Sequence, residues 1–235
     1  ITDWPEMIPL PENLLLKMVS VITDPVTTTD ELIPSGDTSS YRSNPLKLAE
    51  FTLSRKDPGY VQRAKNLDQL EKERRSLKEV RQMSAALLEV FGALAKITGE
   101  EPEKLAEQTG LGSTIFAVKP GDGSAREQAA SCQKVLGGWS NIAVEYATKR
   151  YRSNLINWGM IPFTIAPADQ GKMALNAFIY IPGIREAVKS GADRVTAYLL
   201  KSGEKQEICL NLTDLSSGER DIILAGSLIN FYAGK

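Results

Sequence analysis

The chain has 235 residues, 42% of them hydrophobic and 24% charged, with a formal net charge of -1. That length holds one large domain or two small ones. A charge near zero argues against a general nucleic-acid binder, which needs an excess of cations to release counterions. With Cys132 and Cys209 as its two cysteines, the chain has no disulfide framework and cannot hold a metal cluster alone. The absence of histidine removes an imidazole base, a His–Asp relay and an ordinary zinc site. Chemistry here rests on hydroxyls, carboxylates, lysine or arginine, or on groups supplied from outside. No apolar run reaches the roughly eighteen residues of a membrane span, and no signal peptide is legible, so a cytoplasmic setting is expected. The sequence starts at Ile1 without a methionine, which suggests a fragment of a longer protein.

The first element is a strand-like apolar run from Leu14 to Ile22. A turn-rich stretch follows to Asn44, where Pro25, Pro34, Gly36 and Pro45 interrupt any helix. From Gln62 to Ile97, Leu67, Leu70, Leu77, Val80, Leu87, Phe91 and Leu94 recur at helical spacing, which predicts one long amphipathic helix or a helix pair closed by Gly99. Its cations (Arg63, Lys65, Lys72, Arg74, Arg75, Lys78 and Arg81) alternate with Glu71, Glu73 and Glu79, as on a solvated face with i,i+4 pairs. Beyond Gly112 the pattern becomes α/β. Strand-like Thr114 to Val118, helix-compatible Ala125 to Leu136, strand-like Asn141 to Ala147, a helix over Lys149 to Trp158 and a strand over Met160 to Ile165 follow in turn. Phe178 to Ile181, Val195 to Leu200 and Gln206 to Leu212 read as strands, with a short helix over Ile184 to Lys189. Ser216 and Glu219 form a capping-box pattern ahead of a terminal helix.

The stretch with most chemical content is Gly121-Asp122-Gly123-Ser124-Ala125-Arg126-Glu127, which leaves a strand and opens a helix. Such a position exposes unpaired N–H groups and the positive end of the helix dipole, and so favours an anion. Ser124 offers a hydroxyl there, and Arg126 can fork onto a carboxylate or phosphate. From spacing alone the plainer account is a Gly-rich turn with Ser124 as N-cap and Arg126 in solvent. A P-loop is excluded because no Gly-Lys-Ser/Thr follows, and a Rossmann fingerprint lacks its third glycine.

These residues, followed by Ala129-Ala130 and Leu136-Gly137-Gly138, resemble the swivel domain of the aconitase family of hydro-lyases. Three further stretches resemble the same domain in the same order. They are Thr28 to Gly36 with its threonine–aspartate turn, Tyr151 to Phe163, and Leu224 to Asn230. Together the motifs span most of the chain apart from the helical stretch. The resemblance implies an α/β fold, a three-layer β/β/α swivelling domain with a C-terminal helix, in which residues 1–235 form one domain and 60–108 a helical insertion. It implies reversible dehydration and hydration of a hydroxy polycarboxylic acid, by an enzyme whose [4Fe-4S] cluster sits on domains outside this chain, in the same polypeptide or a separate subunit. By the same resemblance Ser124 is the catalytic base, Arg126 and Arg42 bind substrate carboxylates, and Gly123 and Ala125 border the substrate.

The sequence departs from the family at Ala125, where a second serine is common, and at Gln128 and Tyr151, where histidines are common. Thr29 and Asp30 read as supporting or turn-forming residues. Cys132 and Cys209 lie among apolar neighbours and read as buried free thiols, and Trp139 and Trp158 as packing residues. Two alternatives stay open. One is a free-standing small subunit of an isopropylmalate isomerase-type enzyme. The other, with less support, is an RNA-binding relative using the basic side of the helical stretch. No membrane is implied.

Overall fold

A computed structural model describes residues 6–41, 43–77, 83–201 and 203–234. The chain opens with strand β1 (Asn13–Ile22), the two-residue β2 (Thr27–Thr28), and short helices α1 (Thr29–Leu32) and α2 (Pro45–Ala49). Helices α3 (Tyr60–Ser76), α4 (Ala85–Thr98) and α5 (Pro102–Gln108) lead into β3 (Thr109–Ala117) and β4 (Pro120–Asp122). Then come α6 (Arg126–Val135), β5 (Gly138–Ala143), α7 (Lys149–Asn157) and β6 (Ile161–Thr164). The chain continues through β7 (Phe178–Ile181), α8 (Ile184–Lys189), β8 (Arg194–Lys201), β9 (Glu204–Asn211), α9 (Ser217–Ala225) and α10 (Leu228–Ala233).

Two sheets meet at both edges. β1, β3, β5 and β6 are parallel neighbours, and β7, β8 and β9 form an antiparallel meander. β1 joins the meander through Leu14↔Ile181 to Lys17↔Phe178, and β6 joins it through the single pair Thr164↔Asn211. The result is a closed seven-stranded barrel in the order β1-β3-β5-β6-β9-β8-β7. The α/β class therefore holds, but the plain three-layer sandwich expected from the resemblance gives way to closure, because joining both edges removes the unpaired strand groups an open sheet would present.

Inward residues of all seven strands, among them Leu14, Leu16, Phe116, Phe163, Ile181, Leu199 and Leu210, share one buried cluster. Every residue of β3 is buried, as befits a parallel strand covered on both faces. Its outer side meets two further clusters. Under α1, α2, α6 and α7 lie Ile33, Leu53, Ile115, Ala130 and Leu155. Under α3, α4 and α5 lie Leu67, Leu87, Phe91, Leu94 and Leu105.

Between Gln62 and Ile97 the structure has the helix pair, α3 and α4, with Gly99 as the C-cap of α4, and α5 follows it. The charges of this stretch differ from the expected solvated face. Glu71 is buried and Arg74 partly so, with Arg74 gripping both Glu71 oxygens at 2.7 Å while Glu71 accepts from the Leu111 N–H at 2.9 Å. Arg63, Lys65, Lys72 and Arg75 pair with Asp57, Glu50, Asp68 and Glu6. Lys78, Glu79, Val80 and Arg81 lie outside the described residues. The Ser216–Glu219 capping box forms, and the terminal helix is broken at Gly226 into α9 and α10.

Candidate active site

The C-terminal ends of the parallel strands share one rim, and the chain leaves them into β2, β4, α6 and α7. β2 and β4 pair through Thr27↔Pro120 and Thr28↔Asp122, which brings the start of α1 beside the Gly121–Arg126 loop. Gly121 and Gly123 sit at φ +99° and +133°. A Cβ on Gly121 would lie 2.3 Å from the Tyr151 ring, and one on Gly123 would lie 2.2 Å from Thr29 Oγ1. Both glycines are thus required twice over, by backbone conformation and by close approach.

The loop is held from three sides. Thr29, itself buried, accepts from the Ala125 N–H through Oγ1 at 3.3 Å. Thr148, the N-cap of α7, donates through Oγ1 to the Gly121 carbonyl at 3.2 Å and accepts from Tyr151 N at 3.1 Å. Beneath them Tyr151, Asn141 and Gln133 close a buried ring of hydrogen bonds. The Tyr151 hydroxyl donates to Asn141 Oδ1 at 2.6 Å, Asn141 Nδ2 donates to Gln133 Oε1 at 2.6 Å, and Gln133 Nε2 donates to the Tyr151 oxygen at 2.9 Å. Burial pushes the Tyr151 phenol well above its ordinary pKa, so it acts as a neutral member of the ring. This network ties α6, α7 and β5 into one support.

Above that support the polar groups are open. Ser124 is exposed and its hydroxyl makes no hydrogen bond among the described residues. It is not the N-cap: Ala125 occupies that position and has no side chain able to cap, so no side chain closes the first turn of α6. Arg126 is half-buried rather than solvated, and its Nε is buried without a partner. An unsatisfied buried donor costs about 1–3 kcal/mol, so the arginine is held in readiness for an acceptor. An exposed hydroxyl, a ten-residue helix without a side-chain cap and a buried guanidinium N–H without an acceptor fall within three consecutive residues, and groups of these kinds suit an anion.

Gly123, Ser124, Ala125 and Arg126 are consecutive residues of the loop that opens α6. Arg42 lies outside the described residues. Its neighbour Tyr41 stacks on Phe51 with ring centroids 5.4 Å apart, and both Tyr41 and Ala125 border the same buried cluster. Asp30, in the first turn of α1, pairs with Arg55 at 2.9 Å and plays a structural part. Sequence reasoning passed over the Tyr151–Asn141–Gln133 ring, whose one signal is the polar pair Ser140-Asn141 in a buried strand. It also passed over Glu127, which accepts from Trp158 Nε1 at 2.5 Å.

The cysteines do not form a metal site. Cys132 is buried, its thiol pushed up to about 12 by burial, and it is therefore inert. Cys209, expected to be buried, is exposed, because it points outward on β9 while Ile208 and Leu210 turn in. Among the described residues no group of three or more His, Cys, Asp or Glu is arranged to hold a metal ion. The described residues, with two cysteines far apart in burial, do not fit an iron–sulfur cluster.

A family model described as the aconitase C-terminal domain matches residues 106–168, from the end of α5 past β6. A protein named as a mitochondrial aconitate hydratase in Aspergillus fumigatus is 37% identical over 119 residues, which are 48% of this chain and 14% of that protein. A counterpart of the same name in Emericella nidulans is 36% identical over 116 residues, 47% of this chain and 14% of that protein. A crystal structure of 3-isopropylmalate dehydratase from Methanocaldococcus jannaschii superposes with a TM-score of 0.53 at 18% identity, covering 94% of each chain. That likeness shows a shared fold. Over residues 106–168 the chain is similar to the aconitase C-terminal domain. The stretch matched by the family model contains the whole Gly121–Arg126 loop, and the alignments with those aconitate hydratases span only 14% of their length.

Proposed function

We propose that this chain is the substrate-closing domain of an iron–sulfur hydro-lyase, inactive alone, which brings Ser124 and Arg126 over a hydroxy polycarboxylic acid held by a separate cluster-bearing body. The observation that carries the reading is the exposed Ser124 beside an Arg126 whose buried Nε has no acceptor, at a helix start without a cap. A substrate carboxylate seated there satisfies that Nε and meets the first-turn N–H groups of α6. Ser124 then faces the carbon next to the carboxylate and takes its proton. A free serine hydroxyl is too weakly acidic to do this unaided. The helix N-terminus, the neighbouring guanidinium and exclusion of water on closure each stabilise the developing alkoxide by about 1–4 kcal/mol. Arg42 holds a second carboxylate, Gly123 and Ala125 leave room for the substrate, and fixing both ends of the acid converts a loose encounter into an aligned one.

In this reading the [4Fe-4S] cluster belongs to the partner domains, and no step assigned to this chain runs through it. Residues 1–235 act as one swivel domain, with 60–108 as an insertion on its flank. A second reading, a free-standing small subunit of an isopropylmalate isomerase-type enzyme, is favoured by the near-complete mutual coverage with the solved 3-isopropylmalate dehydratase chain. The experiment is to combine this chain with cluster-bearing aconitase-like domains, fused or mixed, and to assay water addition to aconitate-like acids and to isopropylmalate precursors. Turnover that needs both components supports the assignment, and the preferred acid chooses between the two readings. Full turnover surviving both Ser124→Ala and Arg126→Ala overturns it.

A further inference from the structure

Between α3 and α4 and the outer wall of β1, β7 and β8 lies a cavity of about 710 Å³, within the range of small-molecule sites. Leu15, Phe178 and Leu200 form its floor, and Leu70, Val90 and Ile97 its helical walls. Its lining shares no residue with the cluster beneath the Ser124 loop.

Two features distinguish it from a packing defect. Lys17 stands on the outward face of β1 between the buried Leu15 and Val19, with its ammonium 5.7 Å from the Phe178 ring centroid. It has no carboxylate partner among the described residues, and neither has Lys96 of α4, which also lines the cavity. Glu89 and Asn66 are the other polar members, so the cavity keeps one positive charge in excess. The second feature is Gly92, in the middle of α4. A glycine there weakens the helix, yet no positive φ requires it, and a Cβ would have nothing within 4 Å. Gly92 lines the cavity, and any larger side chain would project into it.

We propose that this cavity binds an amphipathic carboxylate of the medium-chain fatty-acid class, with its head on Lys17 and Lys96 and its tail along Leu15, Phe178 and Leu200. The charge selects an anion, and the wall selects an aliphatic body. The polycarboxylates of the Ser124 rim lack such a body and do not compete.

The test is calorimetric titration of the full chain with decanoate, decanol and decyltrimethylammonium. Decanoate is expected to saturate one site, decanol to bind at least tenfold more weakly, and the cation not to bind. Lys17→Met is expected to weaken decanoate at least tenfold and leave decanol unchanged. Gly92→Leu is expected to abolish binding without lowering the melting temperature. Should Gly92→Leu fail to fold, amide shifts at Gly92, Phe178 and Leu200 on adding decanoate to the unaltered chain provide the second readout. Absence of saturable decanoate binding, equal affinity for decanoate and decanol, or shifts confined to the Ser124 loop would each overturn the proposal.

Discussion

At the seam between α3 and β3, polar groups are buried and closed on one another. Glu71 takes the Leu111 N–H and both arms of Arg74, and Arg74 also donates to the Ala106 carbonyl at 2.8 Å. At the rim around Ser124, Thr29 and Thr148 hold the loop backbone by hydrogen bonds, yet the buried Arg126 Nε has no acceptor. A buried ion pair with every bond satisfied serves the fold, because removing either member strands the other. A rigid loop with unsatisfied donors serves a ligand, because the protein has positioned the groups without using them. The same physics of buried polar atoms separates the two regions. It also says which substitutions act on stability and which on chemistry.

The sharpest contrast comes from Glu71→Ala. It leaves the Leu111 N–H and the Arg74 guanidinium without their acceptor, and the expected loss is about 3–5 kcal/mol. A denaturant titration checks it, with the midpoint falling and the slope unchanged. A loss below about 1 kcal/mol would class the seam with ordinary surface pairs.

Lys134 sharpens the comparison from the same flank. It ends α6 against the Trp139 ring, its ammonium 3.9 Å from the ring centroid. Burial pushes it down to about 7, outweighing the opposing effect of Asp68. The unfolded chain holds that proton up to about pH 10.5, so between pH 7 and 10.5 the unfolded state binds more protons and stability rises with pH. Lys134→Met removes the penalty. Its gain in melting temperature is expected to be full below pH 7, to shrink through that window and to vanish above it. A gain independent of pH would show that packing alone is responsible.

Gly121→Ala is the smallest of the three in stability and the most local. The new methyl meets the Tyr151 ring at a positive φ, for about 1–3 kcal/mol. The fold survives while the loop shifts, so substrate turnover in the assembled enzyme falls further than the melting temperature suggests. Unchanged turnover would mean that the loop does not need its present position.

Much of this was legible before any coordinates. The bounds of β7 and α8, the capping box at Ser216 and the strand–loop–helix setting of Ser124 follow from alternation, cap chemistry and glycine spacing. The strand expected from Thr114 begins instead at Thr109. Gly112, inside that strand, is a glycine because Trp139 packs on its backbone, where a Cβ would lie 1.9 Å away. Ser124 as N-cap failed by one position, since the helix starts beyond Ala125. Barrel closure through Thr164↔Asn211, the burial of Glu71 with Arg74 and the Tyr151 ring all depend on segments far apart in the chain meeting in space. Local periodicity carries no information about such meetings. The orphaned Arg126 Nε is of the same kind, because a sequence shows the arginine but not the missing acceptor.

The most direct test is the steady-state kinetics of Ser124→Ala in the assembled enzyme. The account predicts an unchanged melting temperature for the isolated chain, a kcat lower by about 10²–10⁴-fold, and a KM within a few-fold of the starting value. A kcat that holds while KM rises would make Ser124 a binding contact only, and would contradict its assignment as the base.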